Sequence, residues 1–153
     1  MKRYSPLVSS FLLFFLSACN NADKQGTDKS ENDIDAARNF IRASLDGKFN
    51  DAKGFLYSDS SNTEFFDAYQ RNYQKIEPEI KRNYRESSIN IHNVTSLNDS
   101  TTVVIYSNSY KNDHDTLKVV KKNNQWLVDL KYLFQHDADS LLMPRLNKID
   151  TIK

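Results

Sequence analysis

The sequence predicts an α+β domain in which N-terminal helices pack on a four-stranded antiparallel β-meander, followed by a short C-terminal helix. Three observations carry this. Between residues 33 and 85 apolar side chains recur every three or four positions, the period of a helix with one buried face. From Ser87 the period falls to two and β-branched residues take over, as in half-buried strands. Three turn-forming clusters, Asn98-Asp99-Ser100, Asn112-Asp113-His114 and Asn123-Asn124, separate the strand-like runs, and each is short enough to join antiparallel neighbours.

The first helix is predicted to begin after Asn32 or Asp33, either of which can cap it, and to bury Ile34, Ala37, Phe40, Ile41 and Leu45. Gly47 follows as a left-handed terminator. A short second helix is expected over 51–56, with Phe49, Ala52, Phe55 and Leu56 on one side. After the polar break 58–62, Thr63 can cap a longer helix whose stripe is Phe65, Phe66, Tyr69, Tyr73 and Ile76. Pro78 interrupts that pattern, and 80–85 adds a turn or two.

Strands are predicted over 88–97, 101–111, 116–122 and 125–133. Their apolar faces are read as Ile89 and Ile91, then Val103 and Ile105, then Leu117 and Val119, then Trp126, Val128 and Leu130. The opposite faces carry Asn90, His92, Thr102, Lys118, Asp129 and Lys131, although Val104, Tyr106, Val120 and Leu127 blur the alternation. One side of such a sheet packs on helices and the other is left to solvent. A tail over 135–153 holds the short helix, expected at 137–143.

The N-terminus bears on location. Lys2 and Arg3 precede an apolar run of ten residues, Leu7 to Leu16, and small residues Ser17 and Ala18 stand before Cys19. This is the layout of a secretory signal. The run is about half the ~20 residues that a spanning helix needs. Leu16-Ser17-Ala18-Cys19 resembles the lipobox of bacterial lipoproteins. The resemblance implies a signal peptide over 1–18, cleavage before Cys19, and a diacylglyceryl group on its thiol, so that the protein is tethered to the membrane by its N-terminal lipid. Acyl chains contribute about 0.8 kcal/mol per buried CH₂, so two or three hold a protein durably. The competing reading keeps Cys19 as an ordinary thiol. Asn20 follows the cysteine where inner-membrane lipoproteins of some Gram-negative bacteria carry Asp, which by the same resemblance implies the outer membrane of the cell envelope. Residues 20–32 hold a single apolar side chain, Ala22, and cannot offset the entropy of ordering. With Cys19 they form a flexible linker whose typical reach is about 20 Å.

A second resemblance covers residues 33–134. Ala37, Phe40, Leu45, Gly47, Ala52 and Leu56, then Lys121, Lys122, Asn123, Asn124, Trp126, Val128 and Asp129, are similar to the pattern of bacterial lipoproteins of unknown function built on the cone of nuclear transport factor two and ketosteroid isomerase. It implies a curved, cone-like sheet enclosing a space against the helices. Asn123-Asn124 stands in place of the usual Asp-Gly or Asn-Gly turn, which leaves the hairpin type open. The alternative architecture is a cystatin-like sheet wrapped around one helix.

Chemistry is sparse. A lone cysteine excludes a disulfide framework and cysteine-based metal sites. Without residues 1–18 the chain carries 19 basic and 20 acidic side chains, and a near-neutral balance with no basic run speaks against nucleic-acid binding. His92, His114 and His136 are isolated, in no metal-ligand spacing. Only three glycines exist, too few for a phosphate-cradling loop. Enzymes on the cone place Asp, His or Tyr inside the cavity, but alternation turns Asp129 and His92 away from the helices. No catalytic residue, cofactor or metal is assigned.

What remains is aromatic content. Nine Phe, eight Tyr and one Trp either fill the core or line a cavity with a few hydroxyls to orient a ligand. Phe40, Phe66, Tyr69, Tyr73, Tyr106 and Trp126 are the candidate lining residues. The leading expectation is a non-enzymatic envelope lipoprotein that binds a small apolar ligand or another envelope protein. The alternatives are a structural lipoprotein docking a partner through its sheet, and an isomerase or dehydratase on the same cone.

Overall fold

A computed structural model of the chain describes residues 30–132. The signal peptide expected over 1–18, Cys19, the expected linker up to residue 29 and the helix expected at 137–143 lie outside the described residues. Helices come first, then an antiparallel sheet, and the architecture is α+β.

Helix α1 (Asp33–Asp46) starts where the Asn32 side chain accepts a hydrogen bond from Asp35 N at 2.9 Å. Asp33 and Asp35 in its first turn oppose the positive end of the helix dipole. It ends at Gly47, φ 75°, with Lys48 N donating back to Ala43 O at 2.8 Å. Ala36, Ala37, Phe40, Ile41, Ala43, Ser44 and Leu45 are all buried, because α1 crosses the sheet and touches all four strands. The small alanines let the strands approach closely.

Helix α2 is Phe49–Gly54, two residues earlier than expected. Its predicted end does another job. Phe55 O accepts from Val128 N, and Tyr57 N donates to Val128 O, both at 2.8 Å, so Leu56 forms a parallel bridge beside the last strand. The backbone groups of Val128 on that edge need partners, and a segment continuing as helix has none to offer.

Helix α3 (Ser60–Lys75) is capped by Asp59, whose carboxylate accepts from Asn62 N at 2.8 Å. Thr63, the expected cap, lies one turn inside it. The earlier start carries Asn62 to the sheet, where its amide donates to Asp129 Oδ1 at 3.2 Å and accepts from Leu130 N at 2.7 Å. Helix α4 (Pro78–Glu86) has proline in its first turn, where no N–H is required. The Arg42 guanidinium donates to Ser87 O at 2.7 Å and Tyr84 O at 3.0 Å, closing the carbonyl end of α4 onto α1.

Strands β1 (Ile89–Asn98), β2 (Thr101–Asn108), β3 (Asp115–Lys122) and β4 (Gln125–Asp129) form a meander in the order β1-β2-β3-β4. β2 stops three residues short of its predicted end because Asn108 turns the chain: its side chain accepts from Lys111 N and its carbonyl from Asn112 N. β4 stops at Asp129, where Leu130 enters a turn held by Asn62. The β3–β4 hairpin resolves as a two-residue loop with both asparagines at positive φ, 48° and 59°, the signature of a type I′ turn.

The face expected for β2 is reversed. Thr102, Val104 and Tyr106 are buried against the helices, and Val103 and Ile105 are half-buried on the other face. Pairing sets the phase: Val104 lies opposite Leu117, and Ile91 opposite Tyr106. With β-branched residues on both faces, alternation alone has no phase to read. Asp129 does share the Lys118 face. It is nonetheless buried, because Asn62, Lys118 at 2.8 Å and Lys131 close over it. His92 occupies a register shift in β1, where it bonds the buried Ser107 hydroxyl at 2.8 Å and stacks on His114 at 4.1 Å. Two histidines isolated in sequence are thus adjacent in space. Beyond His92 the strand is exposed.

Candidate functional site: a tyrosine-lined cavity

Helical spacing puts Asn62, Phe66, Tyr69 and Tyr73 on one buried side of α3. Phe49 stacks edge-on against Phe66, Tyr69 and Tyr73, at 6.0, 5.7 and 5.2 Å between ring centres. Phe40 and Phe66, 6.0 Å apart, fill the space nearer the middle of the sheet. Past Tyr69 the packing opens into a cavity of about 20 Å³. That is room for one group the size of a water molecule.

The wall comes from five elements and one link between helices. α1 supplies Ile41, Ser44 and Leu45, and α3 supplies Tyr69 and Tyr73. Ile76 lies between α3 and α4, and α4 gives Tyr84. The sheet contributes Tyr106 and Asn108 from β2 and Asp115 from β3. Tyr106 and Asp115 are cross-strand partners, and the Asp115 side chain beside the Tyr106 hydroxyl helps it to hold its proton. Tyr69 donates to Ser44 O at 3.4 Å, and Tyr73 to Leu45 O at 3.0 Å. The Ser44 hydroxyl, wholly buried, has no hydrogen-bond partner.

Burial and the Asp115 charge act together on the phenols. Tyr69 and Tyr106 are raised far above the ordinary tyrosine value, first by burial and then by neighbouring groups that include Asp115. Tyr84 is pushed up to about 12 by burial, then by Tyr110 and Asp115. Tyr73 is raised by burial, with Arg85 pulling the other way. At neutral pH all four are protonated, with one O–H donor each.

Of the residues singled out in the sequence, Tyr69, Tyr73 and Tyr106 stand in the cavity wall. Phe40 and Phe66 lie in the core beside it. Trp126 is half-buried at the rim of the core, with Lys121 Nζ 5.5 Å from its ring centre. Ser44, Tyr84, Asn108 and Asp115 were not anticipated. One signal existed for Asp115: continuing the Leu117, Val119 alternation back by two residues puts it on the core face. Asp115 stands between the turn cluster Asn112-Asp113-His114 and the strand expected from Thr116, where neither signal claims it. Among the described residues no group of three or more His, Cys, Asp or Glu is placed to hold a metal ion, and no helix is long and apolar enough to cross a membrane.

No protein-family model matches the chain, and no curated protein matches it. Among solved structures, an NTF-2 like protein of unknown function from Shewanella oneidensis MR-1 is similar to it over 62% of this chain and 89% of that one, at 16% identity and a TM-score of 0.45.

Proposed function

We propose that the chain is an envelope lipoprotein, tethered through acyl groups on Cys19, whose folded domain binds a small ligand without converting it. The observation that carries the binding reading is the buried Ser44 hydroxyl, unpartnered in the wall of a cavity that also holds Asp115. A buried hydroxyl left unsatisfied costs about 1–3 kcal/mol, and a guest that bonds it recovers that. The absence of conversion is argued from size: about 20 Å³ admits one group of a ligand, not a whole substrate.

Two experiments test the reading. In amide NMR spectra of the full chain, a library of short-chain alcohols, acids, amides and amines is expected to include compounds that shift Ser44, Tyr69 and Asp115 saturably. No shift from any class would discard the cavity as a binding site. For the tether, Cys19→Ala is expected to lose labelling by a palmitate analogue and to leave the membrane fraction; unchanged labelling would overturn it. Asn20 after the cysteine supports an outer-membrane position.

A second reading is supported by Asp115 beside Tyr106, a carboxylate and a phenol in one cavity, which is the equipment of general acid–base catalysis. An isomerase or dehydratase would then release altered product from a bound compound, and ligand recovered unchanged after long incubation would count against it.

A further inference from the structure

We propose that α4 is the door of the cavity, with the Tyr84 ring as its plug and the Arg42 guanidinium as its latch; this rests on the ligand-binding reading above and says how a ligand group reaches Ser44.

Of the ten wall residues, all but Ile76 are buried, so entry needs a wall that moves. Most of the wall is locked. α1 lies across all four strands, and Tyr69 and Tyr73 tie α3 to the end of α1 through Ser44 O and Leu45 O. Tyr106, Asn108 and Asp115 belong to paired strands. Moving any of these disrupts the core.

α4 is held differently. Tyr84 is its one buried side chain, with Ile80 half-buried beside the core. The Arg42 guanidinium bonds Tyr84 O and Ser87 O, and its Nε stands 3.0 Å from Asp46 Oδ1. Tyr110, itself 42% exposed, sets its ring edge-on against Tyr84, 5.4 Å between centres. Lys81 reaches back to Gln74 O in α3. Ile76 and Glu77 before the helix and Ser87 after it are extended, with ψ of 143°, 144° and 144°, so α4 can roll between these joints without unwinding. Elements with few buried side chains open at lower free energy than the core around them. A roll that breaks the Arg42 bonds and the Tyr110 contact takes Tyr84 out of the wall. The path it opens runs beside Ile76, the one wall residue that is not buried. Such an opening is the usual way for a closed site to admit its ligand.

Amide hydrogen exchange of the full chain, without ligand, tests the door. α4 is expected to exchange through a local opening, with protection about tenfold or more below that of α1. Arg42→Gln removes an interaction that the opening breaks, and is expected to speed α4 exchange about tenfold. Asn62→Ala, whose contacts the opening leaves intact, is expected to speed exchange in the core of α1 and not in α4. Access is read with a thiol at the wall: in Ser44→Cys, combined with Cys19→Ala, labelling by a small methanethiosulfonate is expected to follow the same pattern, about tenfold faster with Arg42→Gln and unchanged with Asn62→Ala. Should Arg42→Gln not fold, Tyr110→Ala acts on the same contact from the surface and is expected to speed both readouts about threefold or more. Protection of α4 equal to that of α1, or labelling at position 44 that responds to Asn62→Ala as the core does, would overturn the door. Exchange of α4 that ignores both Arg42→Gln and Tyr110→Ala would equally overturn it. Because no ligand is present, the door can fail while the binding reading stands, and the compound library can fail while the door stands.

Discussion

The ring of Tyr73 lies directly over Gly47: a Cβ built on that glycine would stand 2.9 Å from Tyr73 Cε1 and 3.2 Å from its hydroxyl oxygen. The same hydroxyl donates to Leu45 O two residues before the glycine. One contact thus joins the end of α1 to the wall of the cavity.

Gly47→Ala is expected to meet two obstacles, a left-handed φ of 75° and the Tyr73 ring. The backbone part alone costs roughly 1–2 kcal/mol. In a Tyr73→Ala background only that part should remain, so the substitution costs less there. Thermal melts of the four proteins in this double-mutant cycle check it. Equal costs in both backgrounds would mean that the ring yields freely.

Asn62 stitches α3 to the end of β4 through Asp129 Oδ1 and Leu130 N. Asn62→Ala strands the buried Leu130 N–H and leaves Asp129 Oδ1 to Lys131, and is expected to destabilise the domain by about 1–3 kcal/mol. Asn62→Asp should also destabilise, because a second carboxylate then faces Asp129. Urea unfolding midpoints measure both, and an alanine variant as stable as the parent would contradict the role given to this side chain.

The type I′ turn predicts a gain. Asn124 sits at φ 59°, where glycine is unstrained, and Asn124→Gly is expected to add about 0.5–1 kcal/mol, while Asn124→Ala removes about 1 kcal/mol. Opposite signs in denaturant melts are the expected outcome. A glycine variant that is less stable than the parent would argue against the loop geometry.

The tyrosine cavity should reveal itself in alkali. Tyr69, Tyr73, Tyr84 and Tyr106 all have folded pKa values raised above their ordinary value of 10.0. A raised value means that the folded state keeps protons the unfolded chain releases. Their contribution to stability is thus fully present below about pH 10 and is lost as pH rises through the folded values, about 12 for Tyr84. Denaturation midpoints are expected to fall steeply above pH 10, and phenolate absorbance to show late-titrating groups. Tyr84→Phe should flatten the slope. Titration of every phenol near pH 10 in the folded protein would show that water reaches the cavity freely.

Much of the helical half was legible because its signals are local. Asn32 acts through its side chain on the first turn, and Gly47 and Pro78 through their own backbones, so their positions in α1 and α4 follow from residue chemistry alone. Asp59 was missed as a cap because Asp59 and Thr63 are both competent. The choice falls to Asn62, which reaches Asp129 only from the earlier start.

By itself the sequence determined the order of helices and strands, the places where the chain turns, and the lipobox-like segment, since periodicity, capping and turn residues are properties of neighbours along the chain. Only the tertiary structure decided which face of β2 is inside, that Asp129 is buried, and that Ser44, Tyr84, Asn108 and Asp115 meet Tyr69 and Tyr106 around one cavity. Those outcomes depend on strand register and on packing between residues up to about seventy positions apart, such as Ser44 and Asp115. Nothing in the local hydropathy of either residue records that the other will be there, because a buried polar group is tolerated only once distant partners supply its surroundings.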